Sequence, residues 1–118
     1  MENSAVDSNI KNTSNEIGMI IQEIERELIN IYEDKLQDLI LFGSYARGDN
    51  TSSSDIDLLL LLDDMKDINT ERKKYFPVIS DLSLKYDLII SIIPLCINDF
   101  NKVNTPLILN VKKDRIKI

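Results

Sequence analysis

The sequence contains no histidine. That absence excludes Ser-His-Asp and Cys-His machinery, acid–base catalysis by imidazole, and every metal site built on imidazole ligands. The single cysteine, Cys96, cannot form an internal disulfide or a thiolate zinc cluster, and its apolar neighbours suggest a buried structural thiol. Basic residues are outnumbered, 14 Lys and Arg against 20 Asp and Glu, for a net charge of −6. They are scattered except near the C-terminus, where Lys112, Lys113, Asp114 and Arg115 read as a solvated helix end. Without a basic stripe there is no surface for duplex nucleic acid. Long hydrophobic runs are also missing. The longest, Leu88 to Ile97, is interrupted by Pro94 and spans half of the roughly 20 residues that cross a bilayer. The N-terminus has no basic segment followed by an apolar one, so no secretory signal is expected and the chain reads as cytoplasmic, with no membrane role. Carboxylates, hydroxyls and backbone amides are left to carry any chemistry.

What remains is enough for one compact domain: 118 residues, 43% hydrophobic and 29% charged. Residues 1–15, rich in Asn and Ser, read as a polar tail or frayed extension, and residues 16–118 as the folded domain. From Glu16, Ile17, Ile20, Ile21, Ile24, Leu28 and Ile31 recur at spacings of three and four, the signature of an amphipathic helix. Leu36 to Phe42 reads as a buried strand stopped by Gly43, and Asp55 to Leu62 as a second strand after a polar loop that contains a helical turn. Asn69 or Thr70 is the expected cap of a helix running to about Tyr86, with Pro77 as a first-turn residue or a kink. Asp87 to Leu95 reads as a third strand, Asn98 to Thr105 as a polar connection, and Pro106 as the start of a last short helix. This order predicts an α/β fold.

The informative stretch is Gly43-Ser44-Tyr45-Ala46-Arg47-Gly48, followed by Ser54-Asp55-Ile56-Asp57-Leu58. A Gly-Ser pair after a strand lets the backbone approach an anion, with the serine hydroxyl and the next amides pointing outward. Asp55 and Asp57 alternate on a strand, so both project from one face with their Cα atoms about 6.6 Å apart. Two like charges beside a run of five leucines are costly unless solvent or a cation reaches them, and an all-oxygen ligand set favours Mg²⁺ or Mn²⁺. Asp87 is the expected third carboxylate, brought in by a neighbouring strand, with Asp81 on the preceding helix as the fallback. An EF-hand loop is excluded, because leucines stand where its further oxygen ligands and glycine belong. Arg47 reads equally as a phosphate contact or as a partner of Asp49, and Tyr45 as a base-stacking or a packing residue. Glycine turn, serine and three carboxylates together describe a two-metal phosphoryl-transfer site.

Gly43-Ser44, ten residues, then Asp55-x-Asp57 resembles the signature of the nucleotidyltransferase superfamily related to DNA polymerase β, and in particular its minimal (MNT) branch. The resemblance runs from about Glu16 to Ile118 and includes the closing Thr105-Pro-Leu-Ile-Leu-Asn-Val-Lys-Lys-Asp. It implies a minimal nucleotidyltransferase fold, a mixed sheet of three or slightly more strands flanked by about four helices. It further implies that Gly43 and Ser44, with Arg47, hold ATP, and that Asp55 and Asp57 bind two Mg²⁺ ions. Asp87 would complete that metal site and orient or deprotonate the acceptor. Many such domains resemble antitoxins that transfer AMP to a tyrosine of a HEPN ribonuclease toxin. That implies a HEPN partner and a homo- or hetero-oligomer. A non-catalytic antitoxin acting by binding alone and an aminoglycoside-type nucleotidyltransferase are the alternatives; the second needs a helical domain for which 118 residues leave no room.

Overall fold

The structure, a computed structural model, describes residues 5–48, 51, 55–102, 105–114 and 116–117. Helix α1 (Ala5–Tyr32) leads through a 3-10 turn (Glu33–Lys35) into strand β1 (Leu36–Phe42). A one-turn helix α2 (Ser44–Arg47) precedes β2 (Ile56–Leu62), and α3 (Ile68–Tyr86) carries the chain to β3 (Ile90–Cys96). Two short helices, α4 (Ile97–Lys102) and α5 (Pro106–Asp114), and a two-residue strand β4 (Ile116–Lys117) finish it.

The sheet has the order β3-β2-β1-β4. β1 runs antiparallel to both β2 and β4, whereas β2 and β3 are parallel and joined by α3 as the crossover. Central β2 is buried on both faces, which is why its sequence is a run of leucines and does not alternate. Ile56, Leu58, Leu60 and Leu62 face a core made with Ile17, Ile20, Ile21, Ile24 and Leu28 of α1 and Tyr75, Ile79 and Leu82 of α3. Leu59 and Leu61 face the opposite way, onto Phe100 of α4 and Ile108 and Val111 of α5. Leu60 is fully buried in the larger core. Leu60→Ala is therefore expected to lower unfolding stability by about 2–5 kcal/mol in denaturant titrations.

Several local readings are corrected. Helix α1 extends back to Ala5, so residues 5–15, expected as a polar tail or frayed extension, continue the helix. Their polar sequence would nucleate a helix poorly, but adding residues to an existing helix costs far less than starting one. The cap of α3 is Asp67, not Asn69 or Thr70: its carboxylate accepts from the Thr70 backbone N–H at 2.8 Å and from the Thr70 hydroxyl at 3.0 Å. Asp67→Ala should cost about 1 kcal/mol, read by chemical denaturation. Pro77 lies inside α3 with its ring exposed, not in the first turn. The stretch expected as a polar connection after β3 forms α4, because Phe100 buries itself under β2. Cys96 is only half-buried, its thiol near the Asp63 carbonyl at 3.6 Å.

One charged residue, Glu71, lies buried among the described residues. Its carboxylate meets the Lys74 ammonium at 3.5 Å, and its carbonyl accepts from the Tyr32 hydroxyl at 3.3 Å, which ties the end of α1 to the start of α3.

Candidate active site

Because β1 is antiparallel to β2, the end of β1 and the beginning of β2 lie at the same edge of the fold, and the β2–β3 parallel pairing brings the start of β3 there too. Gly43 ends β1 with φ 80° and ψ −156°, a backbone conformation essentially restricted to glycine. This bend starts α2 at Ser44, and Gly48, left-handed at φ 82°, ends it with its N–H on the Ser44 carbonyl at 3.0 Å. The bend also presses Gly43 against the carboxylate of Asp57. A Cβ added at Gly43 would stand 2.5 Å from Asp57 Oδ2. The Gly-Ser turn and the Asp-x-Asp strand, separate in sequence, are thus one packed unit.

Asp55 and Asp57 are both half-buried. Burial, then repulsion from Asp55, pushes the Asp57 carboxyl above its ordinary value, while the positive charge of Arg47 opposes the shift. Arg47 therefore acts electrostatically on Asp57; Asp49, its other expected partner, lies outside the described residues. Tyr45 packs against the larger core, and its hydroxyl is pushed up by burial and by the charge of Asp55. Asp57 sits opposite Phe42 of β1 and Ser91 of β3.

Asp87 is placed differently from the sequence reading. It does not open the third strand: it caps α3 in a left-handed conformation, φ 53° and ψ 51°, exposed and three residues before β3. Its surroundings are Glu16, Ile17 and Ile20 of α1 with Tyr45, Tyr86 and Leu88, which line a cavity of about 600 Å³. Among the described residues, no group of three or more His, Cys, Asp or Glu side chains is placed to hold a metal ion. Asp81, the fallback, is exposed on α3. Sequence reading did not single out Ser91, which the sheet sets beside Asp57. Only the β2–β3 register reveals it, and register between parallel strands has no local sequence signal.

The nucleotidyltransferase domain family matches residues 21–118, from the middle of α1 through the final strand. The chain belongs to that family. Two proteins of Methanocaldococcus jannaschii named as candidate protein adenylyltransferases resemble this nucleotidyltransferase. One is 46% identical over 76 residues, 64% of this chain and 76% of the relative. The other is 38% identical over 82 residues, 70% of this chain and 76% of the relative. Two solved structures share the fold. One is of a toxin–antitoxin with AMP-PNP, at a TM-score of 0.57 and 23% identity, covering 80% of this chain and 69% of that one. The other is of a mutant form of the toxin–antitoxin MntA-HpeT, at a TM-score of 0.56 and 26% identity, covering 82% and 70%. The expected fold, a small mixed sheet with flanking helices, is the one observed; among the described residues the sheet has four strands and is accompanied by five α-helices.

Proposed function

We propose that this nucleotidyltransferase transfers AMP from ATP to a tyrosine hydroxyl of a partner protein, a toxin of the HEPN class that it neutralises. The observation that carries the reading is the contact of Gly43 with Asp57, which joins an anion-binding turn to a carboxylate pair. The relatives named as candidate protein adenylyltransferases support a protein acceptor.

The residues fit a divalent cation. Asp55 and Asp57 provide hard oxygen ligands, and burial together with repulsion from Asp55 disfavours the charged form of Asp57, a penalty that a bound cation would relieve. When bound, Mg²⁺ supplies charge neutralisation on the phosphates. Ser44 and the opening amides of α2, which have no partner within the helix, hold the phosphate oxygens. The turn and strand fix the α-phosphate relative to the acceptor, so that positioning provides much of the rate. A bond forms between the tyrosine oxygen and the α-phosphorus as the bond to the bridging oxygen of the β-phosphate breaks. Pyrophosphate leaves, and the hydroxyl proton passes to solvent.

Incubation of the protein and its toxin partner with ATP labelled at the α-phosphate, with and without Mg²⁺, tests this. Mg²⁺-dependent label on a partner tyrosine is expected. Inhibition of the partner without label, by the native chain and by an Asp55→Asn, Asp57→Asn variant alike, would replace transfer with occlusion.

A further inference from the structure

The pairing of β2 with β3 sets Asp57 beside Ser91. Alternation along β3 places Ser91 on the same face as Ile93 and Leu95, which pack with Leu59 and Leu61 of β2 on the α4–α5 side. Ile90 belongs to the opposite face and to the α1–α3 core. Asp57 shares its own face with Leu59 and Leu61, again by alternation. Paired residues on adjacent strands are separated by about 4.8 Å, so Ser91 is the side chain that stands next to Asp57 on the side away from β1. Asp87 is four residues earlier, beyond the strand, in a turn whose neighbours are α1 and Tyr86. The position where β3 can contribute a third ligand thus carries a neutral hydroxyl.

We propose that the cation site of this chain is Asp55, Asp57 and Ser91, that it holds one divalent ion, and that Asp87 is not a ligand. The inference rests on the reading that the carboxylate pair binds a divalent cation. Two carboxylates and one hydroxyl carry two negative charges; without the phosphates of a bound nucleotide, a second dication beside the first needs a further anionic ligand, and β3 offers a hydroxyl there. Among the described residues, β3 accordingly places no third carboxylate beside the metal-binding pair to take the acceptor's proton. The proton leaves to solvent, as in the transfer step above.

Mn²⁺ titration of the metal-free protein, followed by electron paramagnetic resonance and without nucleotide or partner, tests the ligand set directly. Asp57→Asn is the control, expected to lose binding; if it binds as the native chain does, the carboxylate pair is not a metal site and the functional reading itself falls. Asp87→Asn keeps a residue that tolerates the left-handed conformation, and its Mn²⁺ affinity is expected to match the native value. Ser91→Ala should bind several-fold more weakly, and Ser91→Asp at least about tenfold more tightly or with a second ion, because added ligand charge raises affinity. With the Asp57→Asn control behaving as expected, a loss of binding in Asp87→Asn comparable to that control overturns the proposal. So does unchanged binding in both Ser91 variants when their circular dichroism and Tm show a folded protein.

Discussion

Replacing Asp55 and Asp57 together with Asn is expected to cut nucleotide transfer by about 10³-fold or more while making the metal-free protein harder to unfold. The loss of activity follows from removing the carboxylate packed against the Gly43 turn together with its neighbour two residues earlier on the same strand face, and with them several kcal/mol of charge stabilisation at the phosphates. The gain in stability has a separate cause. Asp57 is held above its ordinary value of 3.8 by burial first and by Asp55 second. A carboxyl whose folded pKa exceeds its unfolded one contributes stability that is complete below 3.8 and is lost as the pH rises through the folded value. At neutral pH the native chain therefore carries this penalty in full, and the double variant does not. Thermal unfolding in EDTA between pH 3.5 and pH 8 should show a Tm that falls with rising pH in the native protein more than in the variant, and a higher Tm for the variant at pH 7. Added Mg²⁺ should reverse the order, since a ligand at 100 times its Kd contributes about 2.7 kcal/mol to the form that binds it. A variant that is less stable at pH 7 in EDTA would contradict the origin assigned to the shift.

Gly43→Ala should abolish function by another route and also destabilise the fold. Any side chain at Gly43 meets two obstacles: φ near 80° with ψ near −156°, and a carboxylate oxygen 2.5 Å from where the Cβ would be. Backbone strain of this kind costs about 1–3 kcal/mol. If Asp57 moves to make room, the carboxylate pair is separated and cation binding weakens; if the turn moves, Ser44 and the start of α2 leave their place. Either way, transfer is lost. Urea unfolding together with Mn²⁺ titration distinguishes the two responses, because only the first lowers metal affinity in proportion to activity. Gly48→Ala makes a useful contrast: its φ is also left-handed, but nothing stands within 4 Å of the added Cβ, so a stability cost with binding retained is expected.

Much of this was legible in the residue order. The periodicity of α1 from Ile17 to Ile31, the bounds of β1, and the end of the second strand at Leu62 follow from local patterning. The Gly-Ser turn and Asp-x-Asp pair were visible because each is a short-range pattern, and their contact follows once β1 and β2 are antiparallel. Asp87 shows where local reading stops. The sequence Tyr-Asp-Leu-Ile-Ile looks like a strand opening with an acid, yet the chain first has to leave α3, and Asp87 takes the left-handed turn that ends the helix. The same limit hid the position of Ser91, which is set by its pairing with a residue 34 positions away. Asp67 was missed as a cap because Asn69 and Thr70 are equally good capping types. The choice is set by where the apolar positions Tyr75, Ile79 and Leu82 must fall on the core.

The two faces of the sheet are unequally covered: α1 and α3 are long and share the larger cluster, while α4 and α5 hold the other face through three buried side chains. Amide exchange should therefore proceed in two tiers. Protons of β2 and of the inner turns of α3 exchange only when the whole molecule unfolds, whereas those of α4 and α5 exchange through a cheaper, partial opening. Since Asp57 and Ser91 lie on that lightly covered side, the ledge beside them resists remodelling less than the α1–α3 face when another molecule arrives.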